Sequence, residues 1–427
     1  MSLMRIDDLF HFEKGSLQSS KCTEGEFDFI TASSEWKTHN EYTHDCEALV
    51  FAAAASGSLG RTHYVNGKFI ASDLCFIITP KNQSELPIDL KFYHMIFNEF
   101  KDDIVKNTKA GTSKEAIGLK AFGNYKLPYF NIDKQVEAKN QFVNMQESKV
   151  ELNIELSHQL DLIKQLRQAF LREAMQGKLC HAELVSASQE TGHDLLAKIK
   201  AEKTQLIAEK KLKKEKELSP ITVDEIPFEI PEHWAWCRLG EICLKVTDGF
   251  HNTPPKVSKG FPYIAATQVK SDKIDWDNCN YVEEKFHREL YTKTTPKKGE
   301  ILVVNIGAGC GTPAIIDVDF EFSFKNTAIL KFNQKLLFNK YLFYYFILRK
   351  DEFYINLTKG GLQPFLSLKI LNEIDFPLPP LHEQEQIVAK LEELMAFCDS
   401  LEQSIKESQG YNEKLLQQVL REALQPQ

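Results

Sequence analysis

The residue types best suited to chemistry lie in Ile301-Leu-Val-Val-Asn-Ile-Gly-Ala-Gly-Cys-Gly-Thr312, an apolar run that opens into alternating glycines. Glycines after a strand let backbone amides approach a nucleotide, so this could be the S-adenosylmethionine loop of a methyltransferase, with Glu321 on the ribose. That chemistry needs a helix directly after the loop. Pro313 and the β-branched Ile315, Ile316 and Val318 follow instead, which favours a glycine-rich hairpin. The matching stretch of the first half, Ala53 to Gly60, has no nucleotide fingerprint, and neither an Asn-Pro-Pro-Tyr-type tetrapeptide nor a Walker lysine motif occurs. Twelve histidines show no H-E-x-x-H or other paired metal spacing, and acid pairs such as Asp102-Asp103 read as solvated faces. No catalytic constellation and no metal site emerges.

Loop chemistry suits recognition better. In the first half the polar turns offer Ser58, Arg61 and Thr62, then Lys109, Thr112, Ser113 and Lys114. In the second they offer Thr247, His251 and Thr253, then Gln268 and Lys270, then Lys359 and Gln363. Gln, Arg and Lys can read base edges while Ser and Thr grip phosphates, so these are candidate DNA contacts. For any one of them an ordinary surface role is equally open.

Such loops need a scaffold, and the scaffold is an internal repeat. Pro128 matches Pro377, Gln135 matches Gln384, Phe142 matches Leu391, and Arg172-Glu173-Ala174 matches Arg421-Glu422-Ala423, each pair 249 positions apart. Repeats take precedence over single-element readings. The chain therefore reads as two units, each a globular segment followed by a long helix. Arg238-Leu-Gly-Glu-Ile242 echoes Arg5-Ile-Asp-Asp-Leu9, and Phe261-Pro-Tyr-Ile264 echoes Phe27-Asp-Phe-Ile30.

The helices show heptad spacing. Met145, Leu152, Gln159 and Leu166 fit d positions, with Leu156, Ile163 and Phe170 at a. In the second copy Leu394, Leu401, Ser408 and Leu415 fit d, with Cys398, Ile405, Asn412 and Val419 at a. A seam of roughly 35 residues spans about 50 Å at 1.5 Å per residue, which is long for a lid on one domain. Two such helices most simply pair with each other, antiparallel, with Gln159 near Asn412 or Ser408.

Within the first unit, segments 26–30, 48–53, 68–70 and 74–78 read as strands and 88–100 as a helix. Asn131 caps the first long helix and Gly177 ends it. A Ser- and Ala-rich connector, 178–192, leads to a basic helical pattern from Asp194 to about Leu218. There Leu195, Leu196, Ile199, Leu206 and Ile207 form an apolar stripe and eight lysines outnumber four glutamates. A solvated face is the plainer reading of those lysines; proximity to nucleic-acid phosphate is the other. Pro220, Pro227 and Pro231 mark a stiff linker into the second unit.

At 427 residues the chain is long enough for several domains. Met1 to Phe12 is charged and has no apolar core, so no signal peptide is expected. The runs Ala48 to Ala55 and Tyr341 to Leu348 fall far short of the roughly 18 residues of a membrane span. Nine cysteines without C-x-x-C pairs suit a reducing compartment, which together predict a soluble, cytoplasmic protein. Net charge of −8 argues against a wholly basic coat but leaves room for local basic clefts.

Three segments carry a resemblance: Pro377-Leu-Pro-Pro-Leu-His-Glu-Gln-Glu-Gln-Ile-Val388, Asp194 to Ile207, and Ile226-Pro-Phe-Glu-Ile-Pro-Glu-His-Trp-Ala-Trp-Cys-Arg-Leu-Gly-Glu-Ile242. They resemble the DNA-specificity subunit of type I restriction and modification enzymes, from about residue 126 to the end, and the first unit joins through the repeat. The first unit departs in lacking the Trp-containing lead-in, and its Asn131-Ile-Asp-Lys-Gln135 only weakly echoes Leu381-His-Glu-Gln-Glu385.

The resemblance implies an α+β fold with two globular α/β target-recognition domains, 1–130 and 232–376. Two long helices, 131–177 and 377–427, would form an antiparallel coiled coil, with 178–231 as connector. Each recognition domain would read one half of a bipartite site in double-stranded DNA, and the helices would set the spacer. Two methyltransferase subunits and restriction/translocase subunits would be partners, with no membrane involved. S-adenosylmethionine and ATP would be bound by those partners and not by this chain. A stand-alone methyltransferase and a coiled-coil scaffold without DNA are the competing readings.

Overall fold

The computed structural model describes residues 2–54, 57–110, 115–179, 190–250, 253–271, 273–357 and 364–423. They form two compact units: residues 1–158 with 405–427, and residues 159–404. The long helices Ile132–Met175 and Leu381–Ala423 each contribute to both.

The first unit is organised by a six-stranded sheet in the order Phe10–Lys14, Cys75–Pro80, His44–Ala52, Thr62–Ala71, Phe27–Ile30, Lys37–His39. Strand alternation divides its side chains. Leu49 and Phe51 enter a core with Phe76, Phe97 and Phe122 under the helices, while Ala48, Val50 and Ala52 face a second core with Val65, Phe69 and Ile77. Each large side chain so buried stabilises by roughly 1.5–3 kcal/mol. Asp89 caps the helix Leu90–Glu99 by accepting from Phe92 N. Ser2–Arg5 pairs antiparallel with Lys126–Tyr129, delivering the chain to the first long helix.

The second unit repeats this plan with one break. Lys245–Asp248, Thr327–Lys331, Ile301–Val304 and Pro313–Ile315 form one sheet, and Ser323–Lys325, Phe261–Ala265 and Asn280–Val282 another. The two together match the first unit's order, with Pro313–Ile315 and Ser323–Lys325 replacing the single strand Thr62–Ala71. Ala235–Arg238 pairs antiparallel with Asp375–Leu378 as Ser2–Arg5 does with Lys126–Tyr129. The helices Leu90–Glu99 and Asn339–Glu352, and Leu119–Asn124 and Leu368–Glu373, start at positions related by the same offset as the long helices.

The start of each long helix is fastened by a fully buried glutamine. Gln135 Oε1 accepts from Asp89 N at 2.8 Å, and its amide donates to Pro87 O and Phe130 O. Gln384 Oε1 accepts from Phe338 N at 2.9 Å, and its amide donates to Pro379 O. The second unit adds a fixture the first lacks: buried Glu383 accepts from Trp234 Nε1 at 2.8 Å and meets His233 Nε2 at 2.9 Å. The repeat places exposed Lys134 at the equivalent of Glu383, consistent with the missing Trp lead-in.

Asn131 accepts from Lys134 N, capping the first long helix as expected, and Gly177 ends it in the left-handed region at φ +73°. The inward stripe on that helix runs Lys149, Asn153, Leu156, Leu160, Ile163, Arg167, Phe170, Ala174. On the second it runs Leu391, Met395, Cys398, Glu402, Ile405, Gln409, Asn412. Steps of four and three residues alternate along both, the spacing of heptads. The expected a positions Leu156, Ile163, Phe170, Cys398, Ile405 and Asn412 lie on these stripes.

The d positions fall one residue later than the sequence suggests. Leu152, Leu401 and Leu415 are 45%, 36% and 55% exposed, and Ser408 is exposed; Met145, Gln159, Leu166 and Leu394 are half-buried beside the stripe. The side chain of Val419 lies outside the described residues. Polar residues take inward places because they bond between the helices within each unit. In the first unit Asn412 Nδ2 donates to Asn153 Oδ1 at 3.1 Å, six residues before Gln159. In the second unit Arg167 reaches Asp399 at 2.7 Å and Glu402 at 2.9 Å.

Candidate nucleic-acid interface

The first unit's candidate residues divide sharply. In the hairpin loop before Thr62, Gly57 and Gly60 take positive φ, and Arg61 is half-buried with Nη1 donating to Ala32 O at 3.2 Å and Ser58 Oγ at 3.4 Å. Ser58 and Arg61 are thus brought together. Thr62 is turned inward, 3% exposed, its hydroxyl donating to Gly60 O and its backbone clamped by Asn98 and by His94 Nε2. Lys109 is exposed and pairs with Glu115 at 2.6 Å. Thr112, Ser113 and Lys114 lie outside the described residues.

Beside this loop Trp36 Nε1 donates to His63 Nδ1 at 3.2 Å, and His63 Nε2 donates to Ser33 O at 2.9 Å. Those bonds fit a neutral imidazole, and burial lowers the pKa of both His63 and His94.

In the second unit Thr247 is 6% exposed on its strand, an interior position that sequence alternation alone did not assign. Thr253 is exposed and accepts a hydrogen bond from Lys325 Nζ. Gln268 spends its carboxamide locally: Oε1 accepts from Ala265 N and Thr267 Oγ1, and Nε2 donates to Asn278 O. Lys270 is exposed, its backbone N–H closing a turn on Lys273 O. His251, Lys359 and Gln363 lie outside the described residues.

Lys325 was not singled out from sequence, although it ends a strand just before Asn326, which takes φ +57°. A polar residue before a left-handed Asn was the available signal. Lys293 joins the same unit's polar surface through Asp248 at 2.8 Å, lying 6.0 Å above the Phe250 ring.

The glycine-rich segment is a hairpin. Ile301–Val304 and Pro313–Ile315 pair antiparallel, Gly311 N donates to Val304 O, and Gly307 N donates to Pro364 O. Gly307 and Gly311 both take positive φ, which a side chain would strain. A strand and not a helix follows the loop in the chain, and Glu321 is engaged by Arg288 at 2.8 Å and His287 at 3.3 Å.

The basic segment forms a helix over Gly192–Ala208 only, ended near Lys210, whose φ is +61°. Leu195 and Ile199 bury its apolar stripe. Lys198 pairs with Glu190, Lys200 with Glu241, and Lys203 donates to Gly240 O and Cys243 O. Lys203 is thus tied into the fold, while Lys198 and Lys200 form ion pairs at the surface.

Among the described residues no three His, Cys, Asp or Glu side chains group as a metal site, and no helix is long and apolar enough to cross a membrane.

The family model for the type I restriction modification DNA specificity domain matches residues 1–159 and again 231–408. The EcoAI specificity subunit of Escherichia coli is 28% identical over 248 residues, covering 56% of this chain and 41% of that protein. The EcoEI specificity subunit of Escherichia coli is 27% identical over 259 residues, 58% of this chain and 43% of that one, so the chain spans less than half the length of these two relatives. The Escherichia coli EcoDI specificity subunit is 21% identical over 439 residues, 98% of this chain and 87% of that protein. The fold is similar to that of the HsdS subunit from Thermoanaerobacter tengcongensis, with TM-score 0.57 at 16% identity over 99% of this chain and 96% of that one. A chain solved in work on complex assembly and conformational transition of the type I R-M system gives TM-score 0.62 at 16% identity, over 99% and 97%.

Proposed function

The chain belongs to the family of type I restriction modification DNA specificity domains, and on that footing we propose that it is the non-catalytic DNA sequence-specificity subunit of a type I restriction-modification complex. The observation that carries the reading is the doubled family match laid over one repeated architecture, down to the paired glutamines Gln135 and Gln384. Each unit reads one half of a bipartite site through loops that differ between the units. Ser58, Arg61 and Lys109 act in the first; Thr253, Lys270 and Lys325 act in the second, with Gln268 shaping its turn.

The long helices form an antiparallel coiled coil that sets the spacer between half-sites. The Asn153–Asn412 bond in one unit and the Arg167–Glu402 pair in the other support that pairing. Methyltransferase subunits dock on the helices. Exposed Val136, Val143 and Val150, at heptad spacing outside the inward stripe, support a helical partner there, as do exposed Leu162, Phe397 and Tyr411. S-adenosylmethionine and ATP are bound by the partner subunits, and the target base leaves the duplex for the methyltransferase.

Co-purification with the methyltransferase, followed by mapping of methylated bases in cells carrying the pair, tests this reading. A two-part motif with a fixed gap is expected. Calorimetric binding of S-adenosylmethionine to the chain alone would overturn it in favour of a stand-alone enzyme.

A further inference from the structure

The repeat allows each surface of one unit to be compared with its counterpart in the other, and one cleft differs. In the second unit, the cleft between helix Asn339–Glu352 and the second long helix is bridged by this chain's own residues. Lys340 Nζ pairs with Glu392 at 2.6 Å, and the Tyr344 hydroxyl bonds the same carboxylate. Met395, Phe343 and Ile347 pack against the core beside it.

The matching positions of the first unit are Lys91, Met95 and Val143. A valine stands where the bridging glutamate would be, and the cleft is open, a cavity of about 660 Å³. Its rim is apolar: Trp36 is 40% exposed and Val143 is 42% exposed, with Met95 and Phe142 half-buried behind them. Most polar side chains in the wall already have partners within the chain, Glu99 among them. Lys139 pairs with Asp89, His63 bonds Trp36 and Ser33, and His94 bonds Thr62. Among the described residues Lys91 has no carboxylate partner; its ammonium lies 5.3 Å from the Tyr64 ring centroid.

We propose that this cleft is a docking site for a segment of the methyltransferase partner that sets a carboxylate beside Lys91 and a large apolar side chain against Trp36, Met95 and Val143. The proposal rests on the specificity-subunit reading. The incoming carboxylate does for Lys91 what Glu392 does for Lys340. A nucleic-acid strand is the poorer occupant, since a phosphate track needs several free cations and this wall offers one. The apolar side chain adds burial that rim charges alone do not supply, and half-exposed aromatic anchors concentrate binding energy.

The test uses the full chain co-produced with its methyltransferase. Val143→Glu supplies the missing bridge internally and should weaken methyltransferase binding at least tenfold, and Lys91→Glu should do likewise. Both positions are exposed, so melting temperatures should stay unchanged. A photo-crosslinking residue at position 143 should attach to a methyltransferase peptide holding an Asp or Glu next to a large apolar residue. Equal affinity of wild type and both variants overturns the cleft proposal, as does crosslinking solely to DNA, to a second copy of this chain, or to nothing while the complex remains intact. Failure of the wild-type chain to bind any methyltransferase would instead sink the reading of the whole protein.

Discussion

Gln135 accepts the backbone N–H of Asp89 at 2.8 Å, and 249 residues later Gln384 accepts that of Phe338 at 2.9 Å. Both glutamines are fully buried at the first turn of a long helix, and both return their amides to the preceding proline-rich loops. Each clamp therefore ties the start of a long helix to loops of its own unit. Replacing either glutamine by leucine leaves a partly buried backbone N–H unpaired, with two carbonyls at Gln135 and one at Gln384, which costs roughly 1–3 kcal/mol. Thermal denaturation of Gln135→Leu and Gln384→Leu should show that loss; unchanged melting would mean the clamps are incidental.

The Asn412–Asn153 bond offers a test of the proposed coiled coil, in which a polar pair would trade stability for register. Substituting both Asn153 and Asn412 by leucine should raise the melting temperature, because a buried polar layer in a helical seam costs stability while specifying alignment. The same double variant should broaden the gap between methylated half-sites. Arg167→Ala should act oppositely, losing about 0.5–1 kcal/mol with the pairs to Asp399 and Glu402.

How far this was legible from sequence depends on distance along the chain. The repeat and the caps at Asn131 and Gly177 were readable because local spacing encodes them, and the same spacing runs through the buried or half-buried Leu156, Ile163, Phe170, Cys398, Ile405 and Asn412. The d positions were not, because Leu152, Leu401 and Leu415 are more apolar than Asn153, Arg167 and Glu402. Only the bonds between helices show why the polar set turns inward. The loops were hardest. That Thr62 is clamped by Asn98, or that Lys325 reaches Thr253, follows from contacts between residues far apart in sequence.

Lys325→Ala tests the second unit's surface. If Lys325 meets phosphate, the variant should weaken DNA binding by the assembled complex about equally for all sequences. The slope of log affinity against log salt should fall by about one. Loss confined to one half-site would make Lys325 a base reader; an unaltered slope would place it away from DNA.

Acid should loosen the wrap of the linker on the second unit. Glu225 accepts from the backbone N–H of Thr222 and pairs with Arg238 at 2.8 Å, which together lower its pKa from 4.5 to about 2. A carboxylate whose folded pKa is depressed stabilises above its unfolded value, and that contribution fades as pH falls toward the folded one. The difference in stability between wild type and Glu225→Gln should thus be present at pH 6 and mostly lost near pH 2. A difference undiminished between pH 6 and pH 2 would exclude the ionised carboxylate as its source.

The most direct measurement inserts one heptad into each long helix, between Leu156 and Ile163 and at the facing level of the second helix, and maps methylated bases in cells carrying the variant with its partners. If the helices set the spacer, both half-sites stay the same and the gap between them lengthens. An unaltered gap in an active, folded complex would contradict the account.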